Sequence, residues 1–315
     1  MTIIGSAMPL RLFQSSGDLM ADRRFEFARD LQLKGDLPAA ADLLEQAIEL
    51  ARNFTSAWFT LGEIREQLGQ RDQAISAFQK ARDSDPGDQH GASLHLMRLG
   101  AEQLSDMPKA YVQALFDQYA PRFEHVLIND LRYRAPSLIF KAVLAARVAA
   151  KKPAFFRRAI DLGCGTGLAA SAFAKQVDHF TGIDLSPGMI KEARTTGLYA
   201  ELEVADMIEG LRGKRDASAN LIVAADAMVY LADLVPVLTE ARRVLAQGGT
   251  LAFTLESHDG SGVILGAGLR YAHAAEYVRT AIAKAGLKIL TIEPASPRNE
   301  NNEPVRGLVV VAEKT

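Results

Sequence analysis

Apolar positions change their period near residue 150. From Asp22 to about Leu104 they recur at three- and four-residue intervals, broken by the polar turns Lys34-Gly35-Asp36 and Gly69-Gln70-Arg71-Asp72, which predicts a stack of helices. From Arg158 onward short apolar runs alternate with helical stretches. Strands are expected at 158–162, 179–183, 200–205, 219–224 and 250–255, with helices at 168–177, 187–195 and 233–246 between them. Ser186-Pro187 is a helix start, with proline at the first helical position, and Gly248-Gly249 a helix stop. Such alternation implies a parallel sheet covered on both faces. A last helix at 273–285 closes at Gly286. Two strands without an intervening helix follow, Lys288 to Ile292 and Leu308 to Ala312, and predict a hairpin that leaves one strand antiparallel at the edge.

An internal repeat lies in the helical half. Trp58, Leu61, Gly62, Ala74, Phe78, Ala81 and Pro86 stand at the spacing W-x2-L-G…A-x3-F-x2-A…P, and a weaker copy lies 34 residues earlier at Ala40, Leu44 and Ala47. Small alanines allow close helix pairing while Trp58 and Phe78 fill the space between. This stretch resembles a tetratricopeptide pair, with a helix from Gly91 to Leu104 as its cap, and the resemblance implies a protein or peptide partner as one possibility.

Between the two halves, a helix is expected from Ser105-Asp106-Met107-Pro108 through Leu115 and Phe116 to Tyr119, broken by Pro121. Another runs from Pro136 to Ala149. The segment Tyr119 to His125 between them is rich in aromatic and charged groups. The domains are accordingly expected as an extension at 1–20, repeats at 21–104, a lid or connector at 105–152 and an α/β domain at 153–315.

Composition permits two ordinary cores, with 48% hydrophobic residues. A formal net charge of −2 argues against a nucleic-acid partner. The local Lys151-Lys152 and Arg157-Arg158 group reads as a solvated linker. No apolar run approaches the ~20 residues that span a bilayer, so no membrane partner is expected, and Met1 to Phe13 lacks the order of a signal peptide. Cys164, the only cysteine, has no internal partner, which suits a reducing cytoplasm.

The densest chemical signal is Arg158-Ala159-Ile160-Asp161-Leu162-Gly163-Cys164-Gly165-Thr166-Gly167, a strand running into a turn with glycine at every second position. Glycines there admit unusual φ values and close approach of a ligand, and the helix start behind them offers free N–H groups. The next strand ends in Asp184, where nucleotide folds grip a ribose diol. The D-x-G-x-G-x-G order resembles the first motif of class I S-adenosylmethionine (SAM) methyltransferases rather than the G-x-G-x-x-G of nicotinamide enzymes, which are the alternative. With the repeats, "L-F-D-x-Y-A-x-x-F" at Leu115 to Phe123 and "L-x-Y-R-A-P" at Leu131 to Pro136, nearly the whole chain resembles a bacterial group in which tetratricopeptide repeats precede such a domain.

That resemblance implies a Rossmann-like sheet of seven strands, mostly parallel with one antiparallel strand in the edge region, and SAM as cofactor. Gly163, Gly165 and Gly167 would approach ribose and tail, Asp161 would orient the ammonium, Asp184 would accept the ribose hydroxyls and Leu185 would pack on adenine. Asp206 would read the adenine amino group beside Met207. A lid carrying Tyr119 and Phe123 would close over the cofactor, with Arg122 or Arg134 facing an anionic acceptor. Asp226 and Tyr230 follow the fourth strand, at the end of the sheet where ligands bind. Asp226 counts as cofactor-binding, and Tyr230, His258 and His273 are the candidate catalytic groups, with His125 as a further base. Cys164 reads as a small filler and Asn299 to Glu303 as a polar hairpin loop. No ligand spacing supports a metal. Ala219-Asn220 departs from the Phe-Asp common in this group and should loosen packing there. The expected activity is methyl transfer to an O or N acceptor on a small molecule or a protein-presented substrate. The competing class is a repeat-based adaptor whose second domain binds SAM without turnover.

Overall fold

The computed structural model describes residues 12–123 and 131–315. The chain forms two compact units, one ending at Ala114 and one running from Leu115 to Thr315.

The first unit contains α1 (Leu19–Lys34), α2 (Leu37–Leu50), α3 (Thr55–Gln67), α4 (Arg71–Ser84) and α5 (Ala92–Arg98). Asp18 and Asp36 cap α1 and α2 through their carboxylates. The repeat positions form the core: Ala40, Ala47, Ala74 and Phe78 are fully buried. A Cβ on Gly62 would lie 2.7 Å from the Phe78 ring, so only glycine allows this approach of α3 to α4. The cap helix is shorter than expected. It stops at Arg98 because Gly100 takes a positive φ of 70° and the Ala101 N–H turns back to the Leu96 carbonyl.

The helix α6 (Lys109–Tyr119) carries the chain into the second unit, ends in a 3-10 turn (Ala120–Arg122) at Pro121, and α7 (Ala135–Ala149) follows the undescribed residues. The strands are β1 (Phe156–Leu162), β2 (Val177–Asp184), β3 (Glu201–Val204), β4 (Ala219–Ala224), β5 (Leu245–His258), β6 (Val263–Leu265), β7 (Tyr271–Ala274), β8 (Lys288–Ala295), β9 (Asn299–Glu300), β10 (Glu303–Pro304) and β11 (Gly307–Glu313). Between them lie α8 (Leu168–Phe173), α9 (Pro187–Thr195), α10 (Met207–Arg212), α11 (Val235–Val244) and α12 (Ala275–Lys284).

The main sheet runs β3-β2-β1-β4-β5-β11-β8, parallel except for β11, which is antiparallel to both neighbours. The reversed strand therefore sits one place in from the edge, because the hairpin partner β8 lies outside it. Adjacent β4 residues alternate between faces: Ile222 and Ala224 join Leu238, Phe253 and Ile282 on one side, and Leu221 and Val223 join Ile139, Phe173 and Val311 on the other. Burial on both faces explains why Leu221 to Ala224 are all apolar. Ala219 is buried in the first of these cores, and Asn220 accepts from the Arg158 N–H, so this departure is absorbed locally.

Three local expectations fail for one reason, strand pairing. The helix expected to reach 177 ends at Phe173, since Val177 already pairs with Phe156 on β1. Gly248-Gly249 lies inside β5, at a register shift against β4, with the Gly248 N–H bonded to the Lys314 carbonyl; this is bulge chemistry rather than a helix stop. His273 does not open the last helix; it lies on β7, paired with Ser257 of β5.

Residues 105–315 contain α6 and all of the sheet, and are expected to fold without the repeats. Thermal melts of that fragment followed by circular dichroism should give one cooperative transition. A fragment without a transition would move the boundary into the repeats.

Candidate active site

Asp161, Asp184, Asp206 and Asp226 stand at or just after the carboxyl ends of β1, β2, β3 and β4. Asp161, the penultimate residue of β1, is fully buried. Its Oδ2 accepts from the Tyr199 hydroxyl at 2.7 Å, while Oδ1 has no partner. Burial pushes its carboxyl up to about 7, with the Tyr199 bond working against that and Asp184 with it. The next turn is pinned to β2, because the N–H groups of Gly163 and Cys164 both donate to the Ile183 carbonyl. Gly163 has φ 66°, and a Cβ there would come 2.5 Å from that of Ala227. Both constraints require glycine. The Cys164 thiol is buried and its pKa displaced upward, mainly by burial.

Asp184 ends β2 at 8% exposure. Its Oδ2 accepts from the Gly165 N–H at 2.8 Å and its Oδ1 from the Ser186 N–H at 2.9 Å. Burial pushes its carboxyl up to about 6; the two N–H bonds oppose this and the Asp117 charge adds to it. Half-buried Leu185 follows. Asp206 caps α10 by accepting from the Ile208 and Glu209 N–H groups, which holds it at the end of β3 with Met207 beside it.

Aromatic rings line the same edge. Phe116 meets Tyr230 edge-on at 5.3 Å and Phe123 at 5.9 Å. Phe123 stands over the glycine loop, its ring 3.4 Å from where a Gly165 Cβ would be. Tyr119 is buried, with the Arg122 guanidinium 5.0 Å from its ring centre. His125 lies outside the described residues.

On the β4–β5 side a buried charge cluster replaces the expected histidines. Asp226 adopts φ 57°, a conformation uncommon for a non-glycine residue and one that concentrates at functional sites. Its N–H donates to Thr254 Oγ1 and its Oδ2 accepts from Arg298, leaving Oδ1 without a partner. Arg298, 2% exposed, also donates to Glu256 and to Glu300, and Arg270 donates to the same two glutamates. Burial raises the Asp226 carboxyl, with Arg298 opposing; for Glu256 burial is outweighed by Arg298 and Arg270, and its pKa falls. Tyr230 is raised by burial, and Tyr133, raised by burial and Asp226, donates to the Ala225 carbonyl.

Both candidate histidines among the described residues are committed elsewhere. His258 accepts from the Gly260 N–H and faces the Gly262 carbonyl within its own turn. His273 is fully buried, bonded to the Leu231 carbonyl at 3.0 Å and stacked on Tyr277. Burial pushes it down to about 4, so it is neutral at pH 7. Arg134 is spent on Ser296 and Asn299 rather than on an open face. Asn299 to Glu303 does form a hairpin, β9–β10, yet its Glu300 reaches inward. Tyr199, Glu256, Arg298 and Glu300 carry no sequence signal for the site, whereas Asp117 is the acid of the motif at Leu115 to Phe123, which by itself gives it no role. Arg298 and Glu300 reach the site only through the β8–β11 hairpin.

A Rossmann-like sheet with a reversed strand beside its edge, a glycine loop after β1 and acids at the ends of β1, β2 and β3 define a class I methyltransferase fold. Residues 159–249 match the family model described as a methyltransferase domain, and residues 31–96 one described as a tetratricopeptide repeat. The chain thus joins tetratricopeptide repeats to a methyltransferase domain. It is 34% identical over 97 residues to a ubiquinone biosynthesis O-methyltransferase of Xylella fastidiosa, covering 30% of this chain and 39% of that one. The corresponding protein of Xanthomonas oryzae pv. oryzae is 29% identical over 97 residues, covering 30% and 41%. The 1,6-didemethyltoxoflavin-N1-methyltransferase of Burkholderia thailandensis, solved with 1,6-didemethyltoxoflavin and S-adenosylhomocysteine, aligns with a TM-score of 0.50 at 15% identity over 68% of this chain and 93% of that one. That likeness is one of fold. The chain therefore spans about two fifths of the length of the curated relatives it matches.

The Tyr199–Asp161 bond has a testable signature. Asp161 sits above its ordinary value, so the folded protein holds a proton that the unfolded chain releases. Its contribution therefore favours folding as pH falls through about 7 and opposes it above. Tyr199→Phe removes the donor that favours the charged form. The variant should lose about 1.5–3 kcal/mol above pH 7, and less toward pH 5, where Asp161 is protonated. Denaturant titrations at pH 5, 6, 7 and 8 read this directly; a pH-independent loss would contradict it.

Proposed function

We propose that this protein is a SAM-dependent methyltransferase acting on a hydroxyl or amine acceptor. The observation that carries the reading is the pair of buried acids on either side of a glycine loop, one of them with an unpartnered oxygen. Asp161 Oδ1 has no donor inside the protein, and the methionyl ammonium is a donor that fits it. Gly163 and Gly165 leave the floor of the loop free of side chains, and Asp184 keeps lone pairs beyond its two N–H bonds for a ribose diol. Asp206 and Met207 would meet adenine, and Tyr119 belongs to the cover. SAM, when bound, supplies an electrophilic methyl group. The chain's own part is to align an acceptor with it, an effect that can contribute roughly 7–11 kcal/mol.

Asp226, expected from the sequence to bind the cofactor, is proposed instead as the base. Its Oδ1 is unpartnered, its Oδ2 is fixed by Arg298, and it stands at the end of β4 beside Tyr230. An acceptor O–H or N–H can donate to Oδ1 and leave its proton there. His258 and His273 remain candidates only if their present bonds to Gly260, Gly262 and Leu231 are given up. The word O-methyltransferase in the relatives' names favours a hydroxyl acceptor. The repeats are proposed to engage a protein or peptide partner. Among the described residues no helix is long and apolar enough to cross a membrane, and the free thiol of Cys164 fits a cytoplasmic setting.

Calorimetry with S-adenosylhomocysteine should detect binding to the wild type and a loss of ~10-fold or more in Asp184→Ala, as befits bonds to a charged group. Unchanged affinity in the variant would sink the assignment. With the Asp161 carboxyl pushed up to about 7 and that of Asp184 to about 6, affinity should fall as pH drops through both values. Asp184→Asn should lose the lower step and keep the upper.

For the base, Asp226→Asn should bind S-adenosylhomocysteine as the wild type does and lose ~10²-fold or more of methyl transfer to extract components from labelled SAM. Full transfer by the variant would remove Asp226 from the mechanism.

A further inference from the structure

The end of α6 is fastened to the loop after β2 by one side chain. Asp117 Oδ1 accepts from the Ser186 hydroxyl at 2.5 Å and from the Gly188 N–H at 3.0 Å. Ser186 is fully buried and itself caps α9, its Oγ accepting from the Met189 N–H. The fit leaves little room. A Cβ on Gly188 would come 3.0 Å from the Ala120 Cβ, 3.1 Å from Asp117 Oδ1 and 3.4 Å from the Asp117 Cα. The Asp117 charge also faces the positive end of α9.

From Ser186 the contacts continue into the candidate cofactor site. The Ser186 N–H donates to Asp184 Oδ1, and Asp184 Oδ2 accepts from Gly165. Phe123 stands over Gly165, touches Phe116, and Phe116 is the chain neighbour of Asp117. The circuit closes on itself: Asp117, Ser186, Asp184, Gly165, Phe123, Phe116.

We propose that Asp117 is a positioning residue, a latch that ties the end of α6 and its aromatic rings to Asp184 through Ser186. That this serves a cofactor rests on the methyltransferase reading above; the latch itself does not. With the latch made, the Phe116–Phe123 pair is held over the glycine loop while Ser186 fixes one oxygen of Asp184. With it broken, the aromatic cover and the Ser186–Met189 turn are released together, because one carboxylate oxygen serves both.

Three variants test this. Asp117→Ala removes both bonds. Asp117→Asn keeps an Oδ1 acceptor without the charge. Gly188→Leu wedges the contact while leaving Asp117 intact. In the protein without ligand, hydrogen exchange should quicken at 115–123 and at 185–190 together in Asp117→Ala and Gly188→Leu. Amides of β4 should be unchanged, and Asp117→Asn should resemble the wild type. S-adenosylhomocysteine should bind Asp117→Ala ~5-fold more weakly, about the net contribution of one hydrogen bond, and Asp117→Asn within ~2-fold of the wild type. A structural role alone would not move the pH profile. Loss of the neighbouring charge in Asp117→Asn should move the Asp184 step of the binding profile downward from about 6. Wild-type exchange at both segments in Asp117→Ala, or loosening of only one, would overturn the latch. Failure of the wild type to bind S-adenosylhomocysteine would sink the functional reading instead, and exchange in the free protein would still decide the latch.

Discussion

Burial of carboxylates at one edge of the sheet is the constraint on which the rest depends. An ionised acid removed from water is costly unless donors replace the solvent. Each of the three acids is supplied differently. Asp161 takes a phenol from Tyr199, Asp184 takes two main-chain N–H groups, and Asp226 takes the Arg298 guanidinium. The Asp184 solution dictates the backbone around it. For the Gly165 N–H to reach Oδ2, the loop must turn sharply, and Gly163, Gly165 and Gly167 all have positive φ. Two of the three supplies are incomplete, since Asp161 and Asp226 each keep one oxygen without a donor. Unpaired buried acceptors are expensive, and in a protein that binds a ligand the ligand is what relieves them.

What was legible in the sequence was contiguous. Asp161, the three glycines and Asp184 fall within one strand-loop-helix-strand stretch, so their juxtaposition follows from a single β-α-β turn. Asp206 is marked by its place after a strand and before a helix, a place to which the structure gives a local cause, the N-cap. The Asp226 cluster could not be read this way. Arg298 is 72 positions from Asp226 and 42 from Glu256. Nothing near Arg298 marks it as inward-facing until β11 pairs with β5 and brings the preceding hairpin to the end of β4. Gly248-Gly249 and His273 misled for a related reason: a glycine pair serves a helix stop or a strand bulge equally, and Ala272 to Ala275 suits either element. Pairing with Lys314 and with Ser257 decides, and both partners are remote.

The two sides of the crevice also differ in how they are held. On the β1–β2 side, main-chain N–H groups and a glycine floor do the work, so shape is fixed by backbone and tolerates little change of residue. On the β4–β5 side, the groups are long side chains meeting in a charge cluster. Removing one member there would strand the others in a poorly solvated place. A cradle built by backbone beside a wall built by side chains is the division expected of a domain that keeps its cofactor while its second substrate varies.

That wall bears on the acceptor's charge. Asp226, Glu256 and Glu300 carry three negative charges against the two of Arg270 and Arg298, and each guanidinium is already engaged by two or three carboxylates. Arg134, one of the two cations expected to greet an anionic acceptor, is bonded to Ser296 and Asn299 instead, and Arg122, the other, stands against the Tyr119 ring. An anion entering beside Asp226 would meet an excess of its own sign with no uncommitted cation among these residues. A neutral hydroxyl or a protonated amine would instead supply the donor that Asp226 Oδ1 lacks. On the proposed reading, therefore, the cluster selects the acceptor less by attraction from its arginines than by the carboxylate oxygen they leave uncovered.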